Sequence, residues 1–371
     1  MAGGPIRRRA QCRPGGEGGL VTLHRRALLL SVPGALLAAP ARALPAAQLQ
    51  FPRDHGAHPD FRTEWWYLTG HARAGERDFG FQATFFRSRV EPTQDMKSRL
   101  AAKQLVFAHA AITDVQGHRL WHDQRIAREG FGIVAAALED TKVRLRDWSL
   151  ERQASGYRTR IAAADIALDL HCAPTQPLLP QGRQGLSRKG PRPEQASYYY
   201  SQPQLAVTGG LILQGKRFEA RGRAWLDHEW SRELLHPEAV GWDWIGMNLE
   251  DGSALTAFRL RRADGSALWA GGSFRPPGGA AYIFSPQEVM FSPQRRWTSP
   301  RSQATYPVEW IVRTPADFYT VRPVIDDQEL DSRASTGAIY WEGLSQLWDS
   351  NGRMVGRGYL EMTGYSQRLR I

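Results

Sequence analysis

Beyond its first 43 residues, this sequence consists of short runs in which apolar and polar residues alternate. The runs are bounded by glycine, proline, asparagine and aspartate, which favour tight turns. A period of two places successive side chains on opposite faces of a β-strand, and little of the chain shows helical periodicity. The pattern predicts an antiparallel all-β protein, with one short helical turn over 231–240. The clearest runs are EWWYLTGHA, FGFQATFF, LVFAHAAITD, KVRLRDWSLER, YRTRIAAADIALDLHC and ALTAFRLRR.

Three dipeptides mark the tightest turns between these runs. They are Asp251-Gly252, Asp264-Gly265 and Asn351-Gly352. Asp-Gly and Asn-Gly favour short hairpin loops because these residues accept positive backbone φ angles. We therefore predict a β-hairpin at each of the three positions.

Two pairs of segments look like copies of one another. Segments 62–89 and 240–262 each place an aromatic strand, a turn and a second strand that ends in Phe-Arg, and segments 218–230 and 354–365 each carry an Arg-Gly pair. Each half therefore opens and closes on a similar strand. This is the pattern of two tandem β-barrels, each pairing its first strand with its last so that no edge stays open. We predict an N-terminal barrel over 44–236 and a C-terminal barrel over 237–371.

The first 43 residues have the pattern of an export signal. The pair Arg25-Arg26 precedes an apolar run over 27–40 and a small-residue ending, Ala41-Arg42-Ala43. The run is too short for a membrane span, which takes about 20 apolar residues. We predict a signal of the twin-arginine type, a true start nearer Val21, and a periplasmic or secreted protein.

Most of the formal charge of +11 belongs to this leader. Residues 1–43 hold seven of the 48 Lys and Arg and one of the 37 Asp and Glu, which leaves 41 against 36, or +5. No basic run coincides with a nucleic-acid motif, so we expect no nucleic-acid partner, and no integral membrane segment after signal removal. Only Cys172 of the two cysteines would remain, which excludes an internal disulfide.

Five segments, in chain order, carry a family resemblance. They are PRDHGAHPDFRTEWWYLTGH, GRAWLDHEWS, GWDWIGMNL, YWEG and GRGYLEMTGY. They resemble the secreted AttH-type proteins, which form one tandem lipocalin-like family with carotenoid hydratase (hydroxyneurosporene synthase). The resemblance implies two lipocalin-like (calycin) antiparallel β-barrels and a hydrophobic small-molecule ligand. It also implies a link to ABC transporter components.

The hydratase branch of this family implies a set of catalytic positions. There, an acidic residue protonates an isoprenoid carbon–carbon double bond beside a histidine and aromatic residues. The resemblance maps this role onto Asp227, His228 and Glu229 in the run DHEW, and onto Asp243 between two tryptophans. These four residues are the catalytic candidates if the protein is an enzyme.

The residue types around DHEW suit acid catalysis. Protonating an alkene creates a carbocation, which aromatic faces stabilise, and a carboxyl group in an aromatic pocket has a raised pKa and can donate a proton. Strand alternation places Asp227 and Glu229 on one face with Trp225, and His228 with Trp230 on the other. The two carboxyl groups therefore face either a cavity or the junction between the barrels.

A structural role for these carboxyl groups is the alternative. At the point where the first barrel closes, Asp227 and Glu229 would pair with arginines such as Arg62 or Arg223. In that case they would stabilise the fold and take no part in chemistry.

Binding without chemistry is the main functional hypothesis. A barrel interior lined by aromatic and apolar residues holds a lipid, isoprenoid or polyketide through shape and apolar area alone. Trp65 and Trp66 are expected to close the first barrel. Segment 177–204, rich in Gly, Pro and basic residues, is interpreted as a long solvated loop, and the alternative, suggested by its end in three tyrosines, is a lid or rim over the cavity. The expected ligand contacts are Trp230, Trp242, Trp244, Tyr67 and Tyr199.

The segment before the first strand crowds titratable residues against aromatics. Asp54, His55, His58 and Glu64 are interpreted as rim or interdomain residues. Together with His71, His109 and His228 they could supply ligands for zinc, but their spacing matches no HExxH or Cys/His frame. We therefore predict no metal and no cofactor.

The sequence therefore leaves three functions open. The first is an exported, lipocalin-like carrier of a hydrophobic molecule, linked to an ABC transporter. The second is a hydratase or similar lyase that adds water to an isoprenoid double bond. A secreted hydrolase comes third, because the sequence contains no G-x-S-x-G motif.

Overall fold

The computed structural model describes residues 44–45, 48–233 and 235–369, all within one compact unit, Arg42–Ile371. The predicted export signal lies outside the described residues. The helical elements in these ranges are two 3-10 turns, Arg53–His55 and Glu91–Thr93. None of the described helices is long and apolar enough to cross a membrane.

The first sheet contains 13 strands, paired in the order β4-β3-β2-β1-β13-β12-β9-β8-β7-β6-β5, with β10 and β11 also on β12. Its last strand pairs with its first: β13 runs antiparallel to β1 from Thr63–Ser231 to Arg73–Arg221. These strands are β1 Thr63–Ala74, β2 Arg77–Arg89, β3 Gln104–Asp114, β4 Arg119–Arg128, β5 Val134–Ala136, β6 Lys142–Leu145, β7 Trp148–Gln153, β8 Gly156–Ala162, β9 Ile166–Ala173, β10 Leu179–Pro180, β11 Leu186–Arg188, β12 Ala196–Leu213 and β13 Lys216–Ser231.

The second sheet contains ten strands, in the order β17-β16-β15-β14-β25-β24-β22-β21-β18, with β23 on β24, and β19 pairs separately with β20. Again the closing strand β25 pairs with the opening strand β14. These strands are β14 Gly241–Leu249, β15 Ala254–Arg261, β16 Ala267–Arg275, β17 Tyr282–Phe284, β18 Met290–Pro293, β19 Trp297–Thr298, β20 Thr305–Tyr306, β21 Trp310–Arg313, β22 Phe318–Pro323, β23 Glu329–Ser332, β24 Ala338–Trp348 and β25 Met354–Met362.

The predicted fold class is confirmed, as two tandem lipocalin-like antiparallel sheets. All three predicted hairpins are present, as β14–β15, β15–β16 and β24–β25. The first sheet curves into a nearly closed barrel. Arg125 of β4 therefore reaches residues at the far strands of the same sheet. Its guanidinium donates to the carbonyl of Ala162 at 2.7 Å and forms an ion pair with Asp147. The connection between the two sheets runs from Ser231 to Gly241 and contains the predicted boundary at 236/237.

The glycines of the two Arg-Gly pairs lie where each closing strand pairs with its opening strand, and the close approach of the two backbones explains them. A Cβ atom on Gly222 of β13 would lie 1.9 Å from the carbonyl oxygen of His71 in β1. A Cβ atom on Gly358 of β25 would lie 1.9 Å from the carbonyl oxygen of Gly246 in β14. Each closing strand therefore approaches its opening strand too closely for a side chain at this position.

Each sheet encloses its own apolar core. Trp66 and Leu68 of β1 point into the core of the first sheet, and Ile245 and Met247 of β14 point into the core of the second. The opposite faces of the same strands meet between the sheets, where Tyr67 packs near Trp244. Side chains therefore fill both barrels, and the two sheets bury their outer faces against each other.

Two predictions about irregular segments were wrong. Segment 177–204 is not a solvated loop, because it contributes β10, β11 and the start of β12, and Leu179, Lys189 and Tyr200 are buried. No helical turn occurs over the described residues 231–233 and 235–240. Cys172 lies in the first core, where burial raises the pKa of its thiol to about 12 and makes it a poor nucleophile.

Candidate functional site

A cavity of about 350 Å³ lies between the outer faces of the two sheets, and we call it the intersheet cavity. This position differs from the expected one, which was the interior of a barrel. Both interiors are packed with side chains, whereas the sheets do not meet tightly along part of their contact. Its aromatic and apolar wall is formed by Trp65, Tyr67, Phe86, Leu105, Phe107, Ile126, Tyr199, Leu235, Trp242, Trp244, Phe258, Leu260, Ala338, Tyr340 and Leu369.

Four carboxyl groups face this apolar space in addition to Glu64 at its edge. Asp227 and Glu229 come from β13 in the first sheet, and Glu342 and Glu361 come from β24 and β25 in the second. Glu342 lies directly opposite Glu361 in the antiparallel pairing. Sequence reasoning missed these two glutamates, although the segments YWEG and GRGYLEMTGY that carry the family resemblance contain them. In both segments the glutamate stands two residues after a tyrosine, which places the two side chains on the same face of a strand.

Asp227 is held by three hydrogen-bond donors. The hydroxyl of Tyr199 donates to Oδ2 at 2.8 Å, while the hydroxyl of Ser201 and the indole of Trp225 donate to Oδ1 at 2.5 and 2.7 Å. Burial raises the pKa of Asp227 to about 7 even though these hydrogen bonds favour the charged form. The predicted alternation is confirmed, because Trp225, Asp227 and Glu229 share a face of β13. Asp227 can therefore change its protonation state near neutral pH.

Glu229 pairs with a lysine rather than with an arginine. Lys189 Nζ lies 3.0 Å from its carboxylate, and the hydroxyl of Ser197 donates to the same carboxylate. The ammonium group also lies 4.7 Å from the ring centre of Tyr199 and 4.3 Å from that of Phe258. These aromatic faces of the cavity wall therefore already contact a cation.

The alternative pairing with Arg223 is wrong. Arg223 donates instead to the side chain of Gln204 and to the carbonyl of Leu249, at 3.3 and 3.1 Å. Arg223 therefore links β13 to Leu249 at the end of β14, and it pairs with neither carboxyl group.

Glu342 is buried in the wall that the second sheet contributes. Gln82 donates to its Oε2 at 2.7 Å, whereas its Oε1 and the hydroxyl of Tyr67 are buried and have no hydrogen-bond partner among the described residues. Burial and the neighbouring Glu361 raise the pKa of Glu342 well above its usual range. Burial also raises the pKa of Glu361 to about 7, and the charges of Asp227 and Glu229 act in the same direction.

Four of the five predicted ligand contacts lie in the cavity wall. Trp242 and Trp244 extend from β14, and the indole of Trp244 donates to the hydroxyl of Tyr199 at 3.4 Å. The rings of Tyr67 and Trp244 meet edge to face, with their centres 5.3 Å apart. Trp230 is the exception, because it lies in the core of the first barrel.

His228 also points away from the cavity. Its Nε2 lies 2.9 Å from Glu64 Oε1, and its ring stacks on Trp66 with centres 4.7 Å apart. Burial lowers the pKa of His228, although Glu64 acts against this. Alternation on β13 explains the placement, since His228 follows Asp227 by one residue and takes the inner face. The structure therefore does not support a direct catalytic role for His228.

Asp243 is likewise placed outside the cavity. It lies between Trp242 and Trp244 in sequence and therefore points to the inner face of β14. Its carboxylate accepts from Arg259 Nε at 2.7 Å and from the Tyr365 hydroxyl at 2.8 Å. It forms a buried ion pair with Arg259 in the second barrel, so the structure does not bring this predicted catalytic residue into the intersheet cavity.

The His and Asp residues before β1 form a buried network in the first barrel. His58 bridges Asp54 at 3.2 Å and Glu64 at 2.8 Å, and Arg87 Nε donates to Glu64 at 2.7 Å. Burial alone would raise the pKa of Glu64, but hydrogen bonds from His228 and His58 and the charge of Arg87 hold it well below its usual range. The network secures the segment before β1 across the barrel end.

One group of possible metal ligands comes together in this network. Atoms of His58, Glu64 and His228 lie within 4.8 Å of one another. The oxygens of Glu64 accept hydrogen bonds from both rings, from the backbone of His58 and from Arg87. An adjacent guanidinium repels a cation, so the donor set fits a hydrogen-bonded carboxylate better than a metal centre.

Two other histidines from the sequence analysis are placed differently. His55 Nδ1 lies 2.9 Å from the Tyr200 hydroxyl inside the first barrel. His109 lines the intersheet cavity between Tyr340 and Ser335, at 2.8 and 2.9 Å, and burial lowers its pKa to about 3. Burial also lowers the pKa of His55, to about 4, so both rings are neutral at pH 7.

Comparison with models of protein families shows to which family the chain belongs. The AttH-like family model matches residues 42–365. The chain belongs to the AttH-like family. An AttH-type protein of Nitrosomonas europaea is 48% identical, with a TM-score of 0.82 over 88% of this chain and 99% of that chain.

Two more distant structures share the fold of this AttH-like protein. Kievitone hydratase from Nectria haematococca is 13% identical, with a TM-score of 0.67 over 86% of this chain and 94% of that chain. CghA in complex with Sch210972 is 14% identical, with a TM-score of 0.50 over 82% and 88% of the two chains. At these identities the likeness is one of fold. Comparison with functionally curated proteins gave no match.

Proposed function

We propose that this AttH-like protein is an enzyme that binds an apolar, unsaturated small molecule in the intersheet cavity and adds water to one of its double bonds. An isoprenoid chain has the required shape and chemistry. The observation that carries the proposal is the presence of four carboxyl groups, with Lys189 and His109, in a cavity whose wall is mostly apolar and aromatic. The structure thus favours the hydratase hypothesis over the carrier hypothesis.

The unfavourable free energy of burying the Asp227 carboxyl group argues for a catalytic role. Raising its pKa from 3.8 to about 7 weakens folding above pH 7 by about 4 kcal/mol, at about 1.4 kcal/mol per pKa unit. An apolar ligand gains nothing from a buried acid, because shape and apolar area are enough to bind it. A proton-transfer reaction near neutral pH requires such a group.

The walls of the cavity suit a carbocation. Trp242, Trp244, Tyr199 and Phe258 present aromatic rings to the same space as the carboxyl groups. A cation over such a face gains roughly 0.5–2 kcal/mol per ring, more when it is desolvated. The position of Lys189 between Tyr199 and Phe258 is an example of this stabilisation within the cavity.

Fold relatives and the leader add context to the proposal. Kievitone hydratase shares the fold and is named for a hydration. Export to the periplasm and a link to ABC transporter components remain part of the proposal, as expectations from the leader and from the family resemblance. If the protein only carries its ligand, the same cavity would hold it unchanged.

Incubation with isoprenoids in H2¹⁸O tests the proposed function. The purified protein, without residues 1–43, is mixed with geraniol, farnesol and geranylgeraniol, and products are analysed by mass spectrometry. We expect ¹⁸O in a hydrated product, and we expect Asp227→Asn to lower kcat by about 100-fold or more, the usual contribution of an acid–base group. Quenching of tryptophan fluorescence should show nearly unchanged binding.

A matched control separates chemistry from folding. Glu250→Gln changes an exposed carboxyl group outside the cavity and should leave both turnover and binding unchanged. Binding of the isoprenoids with no ¹⁸O incorporation by any form of the protein would support the carrier and contradict the enzyme.

A further inference from the structure

Asp227 and Glu342 occupy opposite walls of the intersheet cavity and have different surroundings. We propose that Glu342 is the proton donor and Asp227 the proton acceptor, so that the reaction moves a proton from the second sheet to the first. This inference rests on the proposed function and assigns its acid and its base. The family resemblance assigned no role to Glu342.

The surroundings of Glu342 favour its neutral form. Glu342 is 2% exposed, and Gln82 donates to its Oε2 at 2.7 Å, while the nearby hydroxyls of Tyr67 and Tyr340 offset part of the rise in its pKa. The ionisable groups around it are Glu361 across the strand pair, Tyr67 from β1, and Tyr340 and Tyr359. None of them carries positive charge. A carboxyl group in such a setting keeps its proton, as burial and the neighbouring Glu361 require.

The second oxygen of Glu342 is free to carry this proton. Oε1 of Glu342 and the hydroxyl of Tyr67 are buried without a partner of normal hydrogen-bond geometry in the described part of the chain. Buried polar atoms are normally paired, and exceptions call for an explanation. Both residues line the cavity, so a proton on Oε1 is held at the cavity wall, on the oxygen that Gln82 does not occupy.

The surroundings of Asp227 favour its charged form by comparison. The donors Tyr199, Ser201 and Trp225 supply three hydrogen bonds to its two oxygens. Hydrogen bonds to a carboxylate stabilise the ion, and this offsets part of the cost of burial. Two carboxyl groups in one site whose environments push their pKa values apart take the roles of acid and base.

The proposed step is balanced. The O–H bond of Glu342 breaks as the π electrons of the double bond form a C–H bond at the less substituted carbon. The carbocation left at the other carbon then takes a lone pair from water to form a C–O bond, and the water proton passes to the Asp227 carboxylate. One water is added, and exchange with solvent returns the proton from Asp227 to Glu342.

Infrared spectroscopy of the purified protein tests the assignment without a substrate. We expect the wild type at about pH 8 to show a protonated-carboxyl C=O band that Glu342→Gln removes. Asp227→Asn should instead remove carboxylate intensity. Loss of carboxylate intensity in Glu342→Gln, or no protonated-carboxyl band in the wild type above pH 8, would overturn the proposal. Absence of the band from the wild type overturns the assignment even if the variant fails to fold.

Turnover separates the failure of this assignment from the failure of the proposed function. If the wild type hydrates an isoprenoid, Glu342→Gln should lower kcat about 100-fold or more while KM changes little. Full activity in a folded Glu342→Gln protein would overturn the assignment alone. If the wild type is inactive but the infrared result is as expected, the proposed reaction fails, and the neutral state of Glu342 is still established.

Discussion

Glu64 illustrates how single residues hold the first barrel together. It lies beneath His58 and His228 and pairs with Arg87, a guanidinium that is itself buried. Removing one partner of a buried ion pair leaves an uncompensated charge. The Glu64 network is therefore structural, unlike the carboxyl groups of the intersheet cavity.

Replacing Glu64 should destabilise the protein strongly. We expect Glu64→Gln to lower the free energy of unfolding by about 3–5 kcal/mol, because Arg87 loses its counterion. Urea denaturation followed by tryptophan fluorescence measures the change. Glu76→Gln, at an exposed ion pair with Arg73, should change stability by less than about 1 kcal/mol. Equal effects of the two substitutions would contradict the structural role.

The pKa of Asp227 predicts how stability depends on pH. A buried acid whose pKa is raised binds its proton more tightly in the folded state, so its contribution weakens folding as pH rises from about 4 to about 7. Asp227→Asn lacks this titration and should be less sensitive to pH over this window. Melting temperatures at pH 5 and pH 8 measure this. A wild type and a variant with the same pH dependence would show that Asp227 does not titrate there.

At the scale of strands, two positions where a closing strand pairs with its opening strand leave no room for a side chain. Gly222 and Gly358 lie where a side chain would meet the backbone of the opening strand. We expect Gly222→Ala or Gly358→Ala to destabilise the protein by about 1–3 kcal/mol, since a backbone carbonyl cannot move away freely. Thermal unfolding gives the value. Arg221→Ala, an exposed neighbour in β13, is the control, and a loss as large as that of Gly222→Ala would contradict the steric explanation.

The sequence was informative where the structure follows from local pattern. The three hairpins and the pairing of first with last strand depend on turn residues and on the duplicated segments, and both are visible along the chain. Segment 177–204 was misread because its β-structure depends on pairing with β12 and on burial between the sheets. These are tertiary effects, which override local composition.

The position of the site required the three-dimensional structure. Alternation separates Asp227 from His228 and Asp243 from Trp242, but it does not show which face points to a cavity. The family resemblance gave Asp243 and His228 a catalytic role, although their strands turn both side chains inward, away from the intersheet cavity. Glu342 was missed because it lines the same cavity as Asp227 only when the two sheets pack together.

At the scale of the whole molecule, the candidate site exists only where both barrels meet. Two of its acids come from each sheet, and its aromatic wall includes residues of β1, β12 and β14. Lipocalin-like barrels usually offer their interior to a ligand. Here the interiors are filled, and a duplicated fold offers the surface between its copies.

Filling the intersheet cavity should remove binding without unfolding the protein. Ala338 lies in the wall, and Ala338→Phe places a ring in the space for the ligand. We expect at least about a tenfold loss of isoprenoid affinity with little change in melting temperature, measured by tryptophan fluorescence. Ala135→Phe, at an exposed position in β5, is the control. Unchanged affinity in a folded Ala338→Phe protein would place the ligand elsewhere.

Transfer of ¹⁸O from water to an isoprenoid is the most direct test of the central claim that carboxyl groups of the intersheet cavity catalyse hydration. The wild type should give a labelled alcohol, and Asp227→Asn should bind the same isoprenoid and return it unchanged. Labelling by Asp227→Asn at the wild-type rate, or binding without labelling by the wild type, would contradict the claim.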